Sequence, residues 1–181
     1  MKGRVLVAAA LAALAGGSNA SAGDAFAGYS YLRRDGTSLH GGGASLTLPL
    51  QGSLRLSFEI TNHQGEVDGK DVSEWALLVG PTFMRNHEAR IRPFAHVKAG
   101  VLRLQSEVVV FGVAIGEEGV CEGSCPGDIA FVAETGGGLD WHLKGGWLLR
   151  LPQVDYRYAR LEGDNVSSVR ASGGVVFRWG R

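Results

Sequence analysis

The sequence predicts an all-β protein, an eight-stranded antiparallel up-and-down transmembrane β-barrel. Three observations predict it: apolar and polar side chains alternate strictly in segment after segment, the segments number eight, and a glycine-rich composition (28 of 181 residues) carries no helical periodicity. The clearest segment is Ser53 to Thr61. Leu54, Leu56, Phe58 and Ile60 share one face of an extended strand, and Arg55, Ser57, Glu59 and Thr61 share the other. Such a pattern fits a half-buried strand of a soluble sandwich, or a membrane-barrel strand with its ionic face turned inward.

The chain begins with a segment that stands apart from the fold. Lys2 and Arg4 form a basic start, Val5 to Ala15 an apolar stretch, and Ala20-Ser21-Ala22 a small-residue cleavage pattern. Residues 1–22 therefore read as a signal peptide and 23–181 as the barrel domain. The apolar stretch is too short to span a bilayer, and no later run is long enough for a transmembrane helix, so any crossing must be made by strands. Removing Lys2 and Arg4 lowers the formal net charge from zero to minus two, and no basic field points to nucleic acid.

The other segments follow in order. Phe26 to Arg33 alternates Ala27, Tyr29 and Tyr31 with Gly28, Ser30 and Leu32, and the segment after it alternates Ala44, Leu46 and Leu48 with Ser45 and Thr47. Ser53 to Thr61 is the third. In the fourth, Val72 to Met84, the face bearing Trp75, Leu77, Val79, Pro81 and Phe83 opposes Glu74, Ala76, Leu78, Gly80 and Thr82. The fifth sets Ile91, Pro93, Ala95, Val97, Ala99 and Val101 against Arg92, Phe94, His96 and Lys98. The sixth, Ala130 to Leu143, sets Phe131, Leu139 and Trp141 against Glu134 and Asp140. In the seventh, Trp147 to Leu161, Asp155 and Arg157 have the wrong parity to share a side with Arg150, and a β-bulge near Pro152-Gln153 is expected to restore them. The eighth, Val169 to Trp179, sets Val169, Val175 and Phe177 against Arg170, Ser172 and Arg178.

In the barrel, one interior collects Arg55, Glu59, Glu74, Arg92, His96, Lys98, Glu134, Asp140, Arg150, Asp155, Arg157, Arg170 and Arg178. These side chains are expected to fill the narrow bore of eight strands and to neutralise one another as a lumen charge network. In a soluble sandwich the same side chains would simply face water, so they do not decide between the two. Two other features favour the membrane. Short connections at 49–52, 85–89 and 144–146 alternate with longer ones at 34–41, 62–71, 103–128 and 162–167, and aromatic residues fall near segment ends.

The longest connection holds Cys121 and Cys125, separated by Glu-Gly-Ser. In an oxidising compartment they are expected to form a disulfide pinning a loop tip; further Cys or His at ligand spacing is missing, so no metal site is expected. Val108 to Ile115 in the same connection is apolar without alternation, which suggests a hairpin extension or a rim plug.

The chain resembles the small bacterial outer-membrane β-barrel domain family, similar to OmpX and to the OmpA transmembrane domain. The resemblance rests on Gly28-Tyr29-Ser30-Tyr31-Leu32-Arg33, Gly80-Pro81, Pro93-Phe94-Ala95-His96, Gly136-Gly137-Gly138-Leu139-Asp140 and Val154-Asp155-Tyr156, in that order along the chain. Ser172, Gly174, Phe177 and Trp179 are similar to the C-terminal assembly signal of such barrels, although the chain continues with Gly180 and Arg181. The resemblance implies the bacterial outer membrane, insertion by the barrel-assembly machinery, both termini on the periplasmic side, and contact with outer-membrane lipids and lipopolysaccharide. It does not imply one activity.

The expected role is structural or surface-interacting, carried by a monomer with a closed bore, no solute channel, no cofactor and no enzymatic activity. Two alternatives are an enzyme modifying lipid A and a soluble periplasmic lipocalin-like carrier. The enzyme needs a histidine within reach of a serine, whereas His96 has Lys98 two residues on. The carrier needs the opposite assignment of faces.

Overall fold

The computed structural model describes residues 22–34, 36–67, 70–85, 89–106, 129–161 and 164–180. They form eight strands: β1 (Gly23–Arg34), β2 (Thr37–Gln51), β3 (Leu54–Val67), β4 (Lys70–Met84), β5 (Ile91–Ser106), β6 (Ile129–His142), β7 (Trp147–Leu161) and β8 (Asp164–Trp179). Each pairs antiparallel with its sequence neighbours, and β8 pairs with β1, closing the barrel. Closure removes the unpaired edges that an open sheet would present. Among the described residues there is no helix.

The alternation read from the sequence sets the two faces. Phe58, Leu77, Val97, Phe131 and Val175 are exposed on the outside, whereas Arg55, Ser57, Glu59, Thr61 and His63 of β3 are all buried inside. This is the reverse of a soluble barrel. On β5 the outward apolar run from Ile91 to Val101 spans about 25 Å at ~3.3 Å per residue and ~40° tilt, the height of a bilayer's apolar band. Trp141, Trp147, Phe83 and Phe177 cluster at the end where the chain begins and finishes. Trp75, Phe131 and Tyr158 lie toward the other end, as interfacial aromatics do.

The bulge in β7 is where proline and parity require it. Arg150 pairs with Gly174, but Gln153 pairs with Ser172, so β7 carries one extra residue against β8; the same shift occurs against Gly138 and Asp140 of β6. Leu151 and Pro152 occupy it, and Gln153, Asp155 and Arg157 return to the inside with Arg150.

Glycines mark the tightest strand approaches. A Cβ on Gly100 would stand 1.8 Å from the Leu77 carbonyl oxygen, and one on Gly80 would stand 2.1 Å from that of Val97.

One expectation needs correction. The spacing of the segments predicts long connections at one end, but β1 and β2 are separated only by residues 35–36, β3 and β4 by 68–69, and β7 and β8 by 162–163. Only 107–128 is long. The segments that read as loops are strand ends that are polar on both faces: Asn62 and Gln64 outward, His63 inward. The expected signal peptide, the Cys121–Cys125 pair and the apolar stretch 108–115 lie outside the described residues, apart from Ala22.

Candidate functional site: the ionic interior and the outward rim

The interior is layered along the barrel axis. Nearest the termini, Asp24 and Asp140 face four guanidinium groups. Arg92 Nη2 bridges them, 2.7 Å from Asp140 Oδ2 and 3.2 Å from Asp24 Oδ2. Arg150 donates from Nε to Asp140 Oδ1 at 2.7 Å and from Nη2 to Oδ2 at 3.1 Å, a two-pronged contact that only a guanidinium makes. Its plane also lies between the rings of Phe26 and Phe94, 4.8 and 4.1 Å from their centroids. Arg55 and Arg178 reach Asp24 at 3.3 and 3.0 Å.

Above this layer the hydroxyls of Thr47, Ser57 and Thr82 form a hydrogen-bonded row with 2.8 Å contacts. Next comes the densest cluster. Arg170 contacts Glu134 at 2.8 Å and Asp155 at 2.6 Å and pairs with Glu59, which also pairs with Lys98. Arg157 lies 2.7 Å from Glu74 and 3.0 Å from Glu134, and Arg34 approaches Glu74 from the outer end at 2.5 Å. Several of these pairs join strands on opposite sides: Arg157 of β7 with Glu74 of β4, Arg170 of β8 with Glu59 of β3. All the sequence-predicted interior residues are buried except Arg178, which retains partial exposure.

Part of the interior wall is apolar: Ala76, Leu78, Leu102, Ala130, Val132 and Ala159 form a buried cluster on β4 to β7, with Glu74 nearer the outer end than Ala76 and Leu78 on β4. Leu32 and Leu39 are buried on β1 and β2, and His63, opposite Glu74 in register, lies with Nε2 2.8 Å from Ser30 Oγ.

The charge network read from the sequence omits Asp24, Arg34 and His63, and the bore also holds the polar Ser30 and Gln153. Asp24 and Arg34 lie at the ends of β1, and His63 lies in the outer half of β3 where alternation fades. Strand parity is the signal that points to them. The Ser30–His63 pair has the contact distance of a nucleophile and its base, and both groups are fully buried.

His96, Glu134 and Asp155 bring three ligand-type atoms within 4.8 Å of one another. His96 Nε2 lies 3.1 Å from Asp155 Oδ1 and 3.6 Å from Glu134 Oε1. Arg157, Arg170 and Lys98 already neutralise these carboxylates, and their positive charge opposes a divalent cation at that point. The cluster is an ionic core in which the carboxylates already have cationic partners.

Several polar groups pair on the outward rim: Tyr29 with His40 Nδ1 at 2.5 Å, Tyr31 with Ser38 at 2.7 Å, Asn62 with Ser73 and Gln64 at 3.3 Å each, and Tyr158 with Asn165 at 2.5 Å. On β5 and β7 the exposed Arg103 and Arg160 make no such contact with a described residue.

No family model matches the sequence, and no curated protein matches it. Solved structures do match. Neisserial surface protein A is 13% identical with a TM-score of 0.66, covering 87% of this chain and 96% of that one. The N-terminal β-barrel domain of Pseudomonas aeruginosa OprF is 16% identical at 0.54, covering 87% and 99%. Ail, the attachment invasion locus protein of Yersinia pestis, is 14% identical at 0.52, covering 87% and 99%. With its apolar outside, its ionic inside and eight antiparallel strands closed on themselves, this chain has the fold of the small outer-membrane β-barrels that its sequence resembles.

Proposed function

We propose that the protein is exported to the bacterial outer membrane and acts there as a monomeric structural or surface-interaction barrel. Its bore conducts no solute, and its contacts are made at the outer end. The observation that carries this reading is the cross-bore pairing of Arg157 with Glu74 and of Arg170 with Glu59, all four side chains buried. An eight-stranded bore is just wide enough for side chains, and here they are held by ion pairs from opposite walls.

In this reading residues 1–22 are removed on export, and Ser172, Gly174, Phe177 and Trp179 present the assembly signal to the barrel-assembly machinery. The connection 107–128, with a Cys121–Cys125 disulfide, is the principal contact surface; it joins β5 and β6 at their ends opposite the termini. Outer-membrane lipids and lipopolysaccharide surround the apolar belt. The Yersinia neighbour is named an attachment invasion locus protein, which supports surface interaction as the kind of work such a barrel does.

Three measurements test the reading. Fractionation and heat-modifiable gel mobility should place the folded chain in the outer membrane; detergent-independent solubility would overturn that location. Planar-bilayer recordings should give no steady conductance, and a stable open channel would overturn the closed bore. Deleting residues 107–127 should weaken cell-surface adhesion while leaving the barrel folded; unchanged adhesion would count against a loop function.

A further inference from the structure

We propose that Arg103 and Arg160, standing on either side of Phe131 on the outward face, form a binding site for the headgroup phosphate of an outer-leaflet glycolipid. This rests on the outer-membrane location proposed above.

Register places the two arginines together. Arg103 of β5 is opposite Ile129 of β6, and Phe131 of β6 is opposite Arg160 of β7, so both arginines flank one strand at nearly one level. Two strand spacings and a two-residue offset separate their Cα atoms by roughly 12 Å, a gap that two long side chains can close over the ring between them. Phe131 and Ile129 are 55% and 75% exposed, and Trp75 is opposite Arg103 on β4. The site is thus a pair of cations above an apolar floor, continuous below with the outward run through Val101 and Val97. A phosphate on acyl chains is complementary to both parts: guanidinium binds phosphate through paired N–H donors, and the chains lie along the belt.

Charge supports the assignment. Among the described side chains, no Asp or Glu faces outward on β5, β6, β7 or β8, so no described carboxylate on that half neutralises the two arginines. The opposite half pairs several of its outward polar groups internally and carries an exposed Glu66. Burying a guanidinium at a membrane interface without an anion is costly, and a headgroup phosphate removes that cost. Arg33 of β1 is also exposed, but its partners Ser38 and Val169 give it no second cation and no aromatic floor. It serves as a control.

The full exported chain is folded into phosphatidylcholine nanodiscs doped with a diphosphorylated acylated glucosamine disaccharide, with its dephosphorylated form, or with phosphatidylglycerol. Retained lipid is measured by native mass spectrometry. The phosphorylated glycolipid should be retained preferentially, and less so at high salt. Arg103→Gln with Arg160→Gln should reduce retention roughly tenfold, the scale of one lost charge-assisted hydrogen bond, while Arg33→Gln leaves it unchanged; heat-modifiability verifies that each variant is folded. Equal retention of the dephosphorylated lipid, equal retention of phosphatidylglycerol, or an unaffected double variant would overturn the site. Fractionation of cells making the wild-type chain is scored separately, so a failure of the outer-membrane location is distinguishable from a failure of the rim site.

Discussion

Arg157 Nη1 on β7 and Glu74 Oε1 on β4 meet 2.7 Å apart across the middle of the barrel, both fully buried. The same Glu74 takes Arg34 through its other oxygen, and the same Arg157 takes Glu134. Removing one member therefore leaves charges on two other strands short of a partner. Glu74→Gln should destabilise the barrel by about 3 kcal/mol, the cost of breaking a buried pair from one side. Urea unfolding in detergent micelles reads this directly. A double variant, Glu74→Gln with Arg157→Met, should recover part of the loss; additive losses would mean that the two residues do not act as a pair.

Arg150 is fixed by two prongs to Asp140 and by two rings. Arg150→Lys keeps the charge but loses the fork and the flat contact with Phe26 and Phe94, and should cost about 2 kcal/mol. A lysine variant as stable as the parent would show that charge alone matters there.

Gly100 and Gly80 occupy positions where a methyl group meets the neighbouring strand's carbonyl. Gly100→Ala should cost about 3 kcal/mol through overpacking. It should also slow the appearance of the heat-modifiable folded band. Gly36, where an added methyl would meet nothing within 4 Å but φ is 84°, tests a different cost, that of the left-handed backbone. Gly36→Ala should lose only about 1 kcal/mol.

Val97 is 56% exposed in the middle of the outward run of β5. Val97→Arg should destabilise a membrane-inserted barrel by about 2–4 kcal/mol, because it puts a cation against acyl chains. In a water-soluble barrel the same change would be nearly neutral, so unfolding measurements on this one variant separate lipid-facing from water-facing.

The two faces are legible in the sequence because parity is a local property. Leu54, Leu56, Phe58 and Ile60 point out and Arg55 and Glu59 point in, as the alternation requires. The irregular seventh strand is legible for the same reason: Asp155 and Arg157 can rejoin Arg150 only through one extra residue. Strand ends are not legible. Beyond Thr61 both faces of β3 are polar, with Asn62 and Gln64 bonded to neighbours outside and His63 bonded to Ser30 inside. Without contrast between faces, alternation has no signal, and strand reads as loop. The partners within the interior are hidden too. That Glu59 serves both Lys98 and Arg170 depends on how strands distant in chain order are brought together by closure.

That dependence on closure has a further consequence. Glu59 and Arg170, like Glu74 and Arg157, belong to walls that come face to face only when β8 zips to β1. A half-finished sheet lying in lipid would expose bare ions to hydrocarbon, at a cost of several kcal/mol for each. Entry into the bilayer and sealing of the last seam must then advance together, so the ionic core penalises every membrane-embedded state except the complete cylinder.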